Sequence, residues 1–400
     1  SPDAKQYGRH MKKIILALAA AAVVIFSGCS KRTGGVETAR RTVLVYMAAR
    51  NSLSDEAYAN LSGMAQGYKD AGVSDSDNLI VYFDAIGENP KLVRVDSRGV
   101  HTLKTYPQRN SCTPEALAGV IGETLAMFPA LDYGLVLWSH GTGWAPADFP
   151  LSSVSPRTAN APAGQSPYPP TRTFGQQYYE GTNYEIELSA LKQSVPSGVF
   201  ELILFDACYM GGVETAYALR DKAQYIISSP ARVVADGMPY SLITGDLFPQ
   251  GNAEASYKRI CEKYFSFYNG HPDPSYRSAT VSLVRTSGLA ALAASVGNIV
   301  KKNASVVSSL PLAGMQYFDA YAEPFMFDLD QFMERTASAD DYSVFSARLS
   351  QTVLYAAHTD DFFGEPITRC CGLSSYIPVA AYSRYNAYYV RTDWYDACYR

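Results

Sequence analysis

The sequence predicts an α/β protein: a three-layer sandwich whose mainly parallel central sheet is covered by helices on both faces, with a smaller C-terminal α+β region. Three observations point there. Runs of strand length at 42–49, 78–85, 134–138 and 202–205 are almost continuously apolar, as strands buried on both faces are. These runs alternate with segments of helical period, a pattern that builds parallel sheets through crossover connections. Two of the runs stop abruptly at a polar, reactive side chain followed by glycine, Leu-Trp-Ser-His-Gly at 137–141 and Phe-Asp-Ala-Cys-Tyr-Met-Gly-Gly at 205–212. Open α/β sheets bind their ligands at such carboxyl strand ends.

Composition bounds the rest. The chain has 400 residues, of which 47% are hydrophobic and 18% charged, which is enough for a large core. The net charge is -4 with no basic run outside the N-terminus, so nucleic acid is not an expected partner. The 30 tyrosines are read as amphipathic packing rather than as a polymer-binding surface. The seven cysteines contain no Cys-x-x-Cys pair, which excludes a zinc ribbon or thioredoxin motif. No metal site is expected from the spacing. Setting aside Cys29 and Cys208 leaves an odd five, so no disulfide framework is indicated, although one bridge has room to form.

Residues 1–10 read as an extension ahead of Met11. Lys12-Lys13, the apolar run 14–26 and Ser27-Gly28-Cys29 have the three parts of a secretion signal. Its end resembles a bacterial lipobox, with Phe26 where an aliphatic residue is usual. Cys29 would then carry the lipid, 11–29 would be the signal segment and 30–40 a flexible tether. The expected location is the cell envelope, anchored to the outer membrane and facing the periplasm. No acidic cluster follows Cys29, so display at the surface is the less supported variant.

The folded part begins with the strand at 41–49. Ser54-Asp55-Glu56 can open a helix to about 70. The run 78–85 is the second strand, and 92–95 with 100–106 form a hairpin at the sheet edge around Ser97-Arg98-Gly99. Thr113-Pro114-Glu115 opens a helix to about 128, and the His140 strand follows. Residues 145–180 are rich in Pro, Ser, Thr, Ala and Gly without apolar period. A loop of that length is usually functional or disordered. A helix is expected at 184–195, then the Cys208 strand, a helix at 213–220, a strand at 224–229, helices near 239–247 and 254–268, a strand at 279–285 and a helix at 288–309. Residues 41–309 are taken as one catalytic domain, with 310–400 packed on it: a helix at 340–358, a strand near 372–378 and an aromatic-rich end.

The two strand ends carry the chemistry. A thiol at one and an imidazole at its neighbour make a nucleophile with a base in reach. An imidazole of pKa roughly 6.5 accepts a proton and later returns it. The helix after Cys208 would favour a thiolate.

With those residues in hand, the chain resembles the clostripain family of cysteine peptidases. The likeness rests on Thr-Val-Leu-Val-Tyr-Met-Ala-Ala at 42–49, Leu-Trp-Ser-His-Gly-Thr-Gly-Trp at 137–144 and Phe-Asp-Ala-Cys-Tyr-Met-Gly at 205–211. Asp328-Leu329-Asp330-Gln331-Phe332, Gly372-Leu373-Ser374-Ser375-Tyr376-Ile377-Pro378 and Thr392-Asp393-Trp394 extend it to the C-terminus. The resemblance implies a caspase-like sandwich and a dyad with Cys208 as nucleophile and His140 as general base and then acid. The backbone N–H groups of Gly141 and Cys208 would form the oxyanion hole. Family members cleave polypeptides after arginine or lysine, and some cut themselves in the loop between the dyad residues. Asp206 and Asp236 are the acidic residues expected to meet a basic substrate side chain, with Ser229 at the start of the same loop. That loop departs from the family in carrying Ser229-Pro230-Ala231-Arg232, and Arg232 is placed to pair with Asp236. Arg157 and Arg172 are the expected self-processing positions. No cofactor is required; calcium enters by family analogy alone, since no Asp-x-Asp-x-Asp-Gly loop occurs. A monomer is expected. The competing reading is a catalytically silent, caspase-like lipoprotein that binds a peptide or an envelope partner; a thiol acyltransferase would use the same dyad.

Overall fold

The first strand shows why a sheet forms the centre. In β1 (Ala39–Ala49) all but one residue is buried. Val43, Val45 and Met47 join one hydrophobic cluster, while Leu44, Tyr46 and Ala48 join another. A strand apolar on both faces needs cover on both faces, and truncating one such side chain to alanine costs about 2–5 kcal/mol. The computed structural model describes residues 38–152 and 173–400, and Thr38–Arg400 form one compact unit.

Helix α1 (Ser54–Asp70) leads from β1 to β2 (Asn78–Ala85). The hairpin β3 (Lys91–Asp96) and β4 (Gly99–Thr105) then completes one edge of the sheet. Helix α2 (Pro114–Met127), capped by the Thr113 side chain accepting from Ala116 N, returns the chain to β5 (Ala130–Trp138) on the other side of β1. Beyond it come β6 (Phe174–Tyr179), β7 (Thr182–Ile186), α3 (Leu188–Ser194), β8 (Phe200–Asp206), α4 (Val213–Ala218) and β9 (Ala223–Ser228). A short α5 (Tyr240–Ile243) and the long α6 (Ala253–Asn269) precede β10 (Thr280–Arg285) and α7 (Leu289–Lys302). The C-terminal part adds α8 (Ala304–Ser308), β11 (Phe327–Asp328), α9 (Leu329–Thr336), α10 (Ala339–Thr352), β12 (Val353–His358), β13 (Ser374–Ser375), α11 (Ser383–Tyr389) and α12 (Asp393–Tyr399).

Among the described residues the central sheet runs β12-β10-β9-β8-β5-β1-β2-β3-β4. The five strands from β9 to β2 are mutually parallel. Helices α1 and α6 pack on one face through Leu61, Met64, Tyr257 and Ile260, and α2, α4 and α7 on the other through Leu117, Val120, Val213 and Leu292. From β1 the chain proceeds toward β2, whereas from β5 it proceeds the opposite way toward β8. That reversal opens a crevice at the carboxyl ends of β1, β5 and β8, where doubly wound sheets bind ligands. Many of the tyrosines are core residues, as expected; Tyr46 and Tyr82 are fully buried and stack with ring centroids 4.7 Å apart.

Three segments differ from the sequence reading. Residues 184–187 are not helical: β6 and β7 form a hairpin whose two turn residues, Glu180 and Gly181, both have positive φ. That is the geometry of a tight turn twisted to match its strands, and it converts the end of the expected long loop into a strand. The helix of 340–358 ends at Thr352, and β12 continues antiparallel to β10 as the terminal strand of the sheet. Its sequence, Val-Leu-Tyr-Ala-Ala-His, fits either period, and the open edge of β10 decides it. The strand of 372–378 is reduced to Ser374–Ser375, paired with β11.

Candidate active site

Strand register brings the two reactive residues together. β5 and β8 pair in parallel up to Trp138 opposite Asp206, and Ser139 N still donates to Asp206 O at 3.3 Å. His140 and Cys208 each lie two residues past that last pair. Both line one cavity of about 140 Å³ at the carboxyl edge, together with Ser52, Glu56, Asp206, Arg232 and Phe363.

The cysteine sits on a strained turn. Tyr209, directly after it, has φ 61, a backbone state that costs a bulky residue about 1–3 kcal/mol and survives only when its surroundings impose it. Here Tyr209 N donates to Ala231 O and Gly211 N to Ser229 O, each at 2.8 Å. Gly211 is packed so closely that a Cβ there would lie 2.4 Å from Pro230 N. The Cys208 thiol donates to Val233 O at 3.7 Å, and its sulfur accepts from Val233 N at 3.3 Å. Burial pushes the thiol pKa up, against the opposing pull of the Val233 N–H and the Arg232 charge. The sequence reading expected the next helix to favour a thiolate. That helix starts only at Val213 and has six residues, and desolvation outweighs it, so the resting sulfur is a thiol.

His140 is 8% exposed. Burial lowers its pKa to about 4, well below the usual imidazole range, because a buried cation loses its water. At neutral pH the cavity therefore holds a neutral thiol and a neutral imidazole. The His140 Nε2 atom lies 3.0 Å from Ser52 Oγ, on the loop after β1. Gly141 touches the cysteine's main chain: a Cβ there would lie 2.7 Å from Cys208 O.

The residues expected at the substrate side chain separate. Asp206 lines the cavity and is fully buried; its Oδ2 accepts from Met238 N at 3.0 Å and from Tyr240 OH at 2.9 Å. Burial raises its pKa to about 6 despite those two donors. Asp236 is exposed and lines an adjoining groove with Asp55 and Glu56. Glu56 borders both spaces, and its buried Oε2 has no hydrogen-bond partner among the described residues. Burial, with Asp236 and Asp55 adding to it, raises its carboxyl pKa. Sequence reasoning took Glu56 only as part of a helix start. Ser229 is turned into the fold, where its hydroxyl bonds Thr280 Oγ1 at 2.6 Å. The Arg232 guanidinium lies over Phe362 and Phe363, 5.4 and 4.9 Å from the ring centroids. Cys29, Arg157 and Arg172 lie outside the described residues. The described side of the loop does start at the site, since Thr142 N donates to Thr173 O at 2.8 Å and Thr173 N to Thr142 Oγ1 at 2.6 Å.

Among the described residues, Cys112, Cys208, Cys261, Cys370, Cys371 and Cys398 are unbridged. No group of three or more His, Cys, Asp or Glu side chains among them is placed to hold a metal ion, and no helix among them is long and apolar enough to cross a membrane.

The clostripain family (peptidase C11) matches residues 45–398. The chain is similar to a C11 protease of Parabacteroides distasonis described as an inactive zymogen, with 31% identity, 91% of this chain and 99% of that chain covered, and a TM-score of 0.74. It is also similar to a secreted C11 cysteine protease of Bacteroides thetaiotaomicron in complex with an irreversible peptide inhibitor, at 28% identity, covering 90% of this chain and 99% of that one, TM-score 0.74. A further structure of a secreted C11 protease from Bacteroides thetaiotaomicron shares 23% identity over 91% of this chain and all of that one, with the same TM-score of 0.74, and speaks for the fold alone. Among curated proteins there is no match.

Proposed function

The chain belongs to the clostripain family of cysteine peptidases, and on that premise we propose that it is an envelope endopeptidase that cleaves polypeptides after basic residues with Cys208 and His140. The observation that carries this is the register of β5 and β8, which ends both strands at one small cavity containing the thiol, the imidazole and the carboxyl groups of Asp206 and Glu56. In the reaction His140, neutral at working pH, takes the Cys208 proton as the sulfur attacks the peptide carbonyl. The resulting oxyanion accepts from the Gly141 and Cys208 N–H groups. The His140 imidazolium then protonates the departing amine, leaving a thioester on Cys208. Water, deprotonated by His140, hydrolyses that thioester and restores the thiol.

The carboxyl groups of Asp206 and Glu56 receive the lysine or arginine before the cleaved bond, and Asp236 extends the acidic wall outward. Arg232 adds positive charge beside the sulfur, which lowers the cost of forming the thiolate. The inhibitor complex of the Bacteroides thetaiotaomicron relative supports a polypeptide substrate. The zymogen relative supports self-processing after Arg157 or Arg172, as does a loop that starts beside the dyad. The Cys29 lipobox supports the envelope location.

A lysine peptide bearing a thiol-reactive group should label Cys208 and nothing in Cys208→Ala; no labelling under reducing conditions would favour the silent binder instead. Intact mass after incubation should show two chains for the wild type and one for Cys208→Ala. Detergent partitioning should follow Cys29 and be lost in Cys29→Ser, whereas wild-type protein wholly in the soluble periplasmic fraction would refute the anchor.

A further inference from the structure

We propose that Ser52 is a positioning residue of the peptidase reaction: its hydroxyl holds His140 through Nε2 and so assigns Nδ1 to the cysteine. The inference rests on the dyad reading above and adds a third member to it. An imidazole has two nitrogens, and only one can face the thiol. The Nε2 atom is taken, 3.0 Å from Ser52 Oγ, so Nδ1 remains for proton exchange with Cys208. For Nδ1 to accept a proton, the hydrogen of the neutral ring must sit on Nε2. That buried N–H needs an acceptor, and a hydroxyl oxygen is one. When Nδ1 becomes protonated, the same bond becomes charge-assisted and strengthens.

The hydroxyl is itself held. The Asn51 side chain locks the turn, with Oδ1 accepting from Leu53 N at 2.9 Å and Nδ2 donating to Ala48 O at 3.0 Å and to Gln176 O at 2.9 Å. Ser139 Oγ, next to the histidine, donates to the same Ala48 carbonyl at 2.6 Å. The ends of β1, β5 and β6 are thus tied at one point, and Ser52 is carried on it. β1 pairs with β5 in register to Met47 opposite Trp138, so the loop after β1 crosses in front of the imidazole without any help from the sequence between them. A hydroxyl orients the ring without adding charge. That agrees with an imidazole whose pKa burial lowers; a carboxylate in the same place would raise it.

The test compares wild type, Ser52→Ala, Ser52→Thr and His140→Ala on a lysine peptide, with the melting temperature of each measured in parallel. Ser52→Ala should lower kcat about 10- to 100-fold, the range typical of losing a side chain that orients an imidazole from behind. KM should change much less than kcat, because the hydroxyl is committed to His140 Nε2. The acid limb of the kcat profile, which reports His140, should move to lower pH, since the imidazolium loses an acceptor. Ser52→Thr should restore kcat to within about threefold. A Ser52→Ala kcat equal to wild type, a threonine variant as slow as the alanine one at unchanged melting temperature, or a rise in kcat on removing the hydroxyl would each overturn the proposal. Retained activity in His140→Ala would instead overturn the dyad reading, and this inference with it.

Discussion

Gly141→Ala tests whether the contact between the two strand ends is part of the catalytic geometry. A Cβ at 141 would lie 2.7 Å from Cys208 O, 3.1 Å from Met210 Sδ and 3.2 Å from Ala207 Cβ. The methionine sulfur can swing aside. The Cys208 carbonyl cannot, because the next residue, Tyr209, is pinned by its 2.8 Å bond to Ala231 O. Relief to ordinary contact needs about 0.7 Å of separation between the ends of β5 and β8. Catalytic groups tolerate about 0.5 Å of misplacement, and 1 Å can cost about 100-fold. The expected loss in kcat is therefore about 10- to 100-fold, or roughly 1.4 to 2.7 kcal/mol of barrier. Overpacking should also cost about 1–3 kcal/mol of stability, so turnover is measured well below the melting temperature, with circular dichroism confirming the fold. Gly212→Ala is the control: a Cβ there meets Glu214 Oε2 at 3.1 Å, Ser374 Oγ at 3.6 Å and Thr215 Oγ1 at 4.0 Å, all side-chain atoms, and should change kcat less than about threefold. A Gly141→Ala enzyme within twofold of wild type, or a Gly212→Ala enzyme equally impaired, would refute the reasoning.

Further outcomes follow from the same geometry. His140→Ala and Cys208→Ala should each lower turnover by several orders of magnitude and the double variant little more, since residues acting as one unit are non-additive; multiplying losses would show that the two act separately. The pH profile should resolve two groups. For a lysine substrate KM should rise as pH falls through about 6, where Asp206 takes up its proton, whereas kcat should persist until His140 is protonated near pH 4. A norleucine substrate should lack the upper step, and loss of kcat already near pH 6.5 would contradict a desolvated His140. Glu214 is buried, accepts from Tyr376 N at 2.8 Å, and has its pKa raised by burial to about 7. A group raised in the folded state contributes its stability below the ordinary glutamate pKa and loses it as pH climbs through about 7. Glu214→Gln keeps an acceptor oxygen and cannot ionise, so it should stabilise the fold at pH 8 relative to pH 5 by up to about 3 kcal/mol, read as a larger gain in melting temperature at pH 8. Equal shifts at both pH values would show that the carboxyl does not titrate as argued.

The central parallel strands, and the placement of His140 and Cys208 at two of their ends, could be read from local pattern. Strands buried on both faces leave near-continuous apolar runs, and 42–49, 78–85 and 202–205 carry that signal with few polar breaks. A reactive side chain followed by glycine at the end of such a run marks the place where the backbone must turn and pack closely, so His140 and Cys208 were legible from local pattern. The weaker elements were not. β12 follows a helix directly, and its six residues suit either state until β10 offers an unpaired edge. The hairpin after 173 was hidden in a stretch without apolar period, because a short, half-exposed hairpin needs only its turn to be specified.

The surroundings of His140 and Cys208 come from the packing of distant segments. Ser52 stands 88 positions before His140 on the same segment as Glu56, and Arg232 and Phe363 come from two more separate segments. Nothing in their local spacing links them; only the order of the strands does. Asp206 and Asp236 were both expected to meet a basic substrate side chain, yet one is buried in the cavity and the other is exposed in the neighbouring groove. The protonation states were equally out of reach. Residue type sets the reference pKa, but the loss of water around His140 and Cys208 moves both toward the neutral form, and how much water a side chain loses is a property of the whole packed chain rather than of its neighbours in sequence.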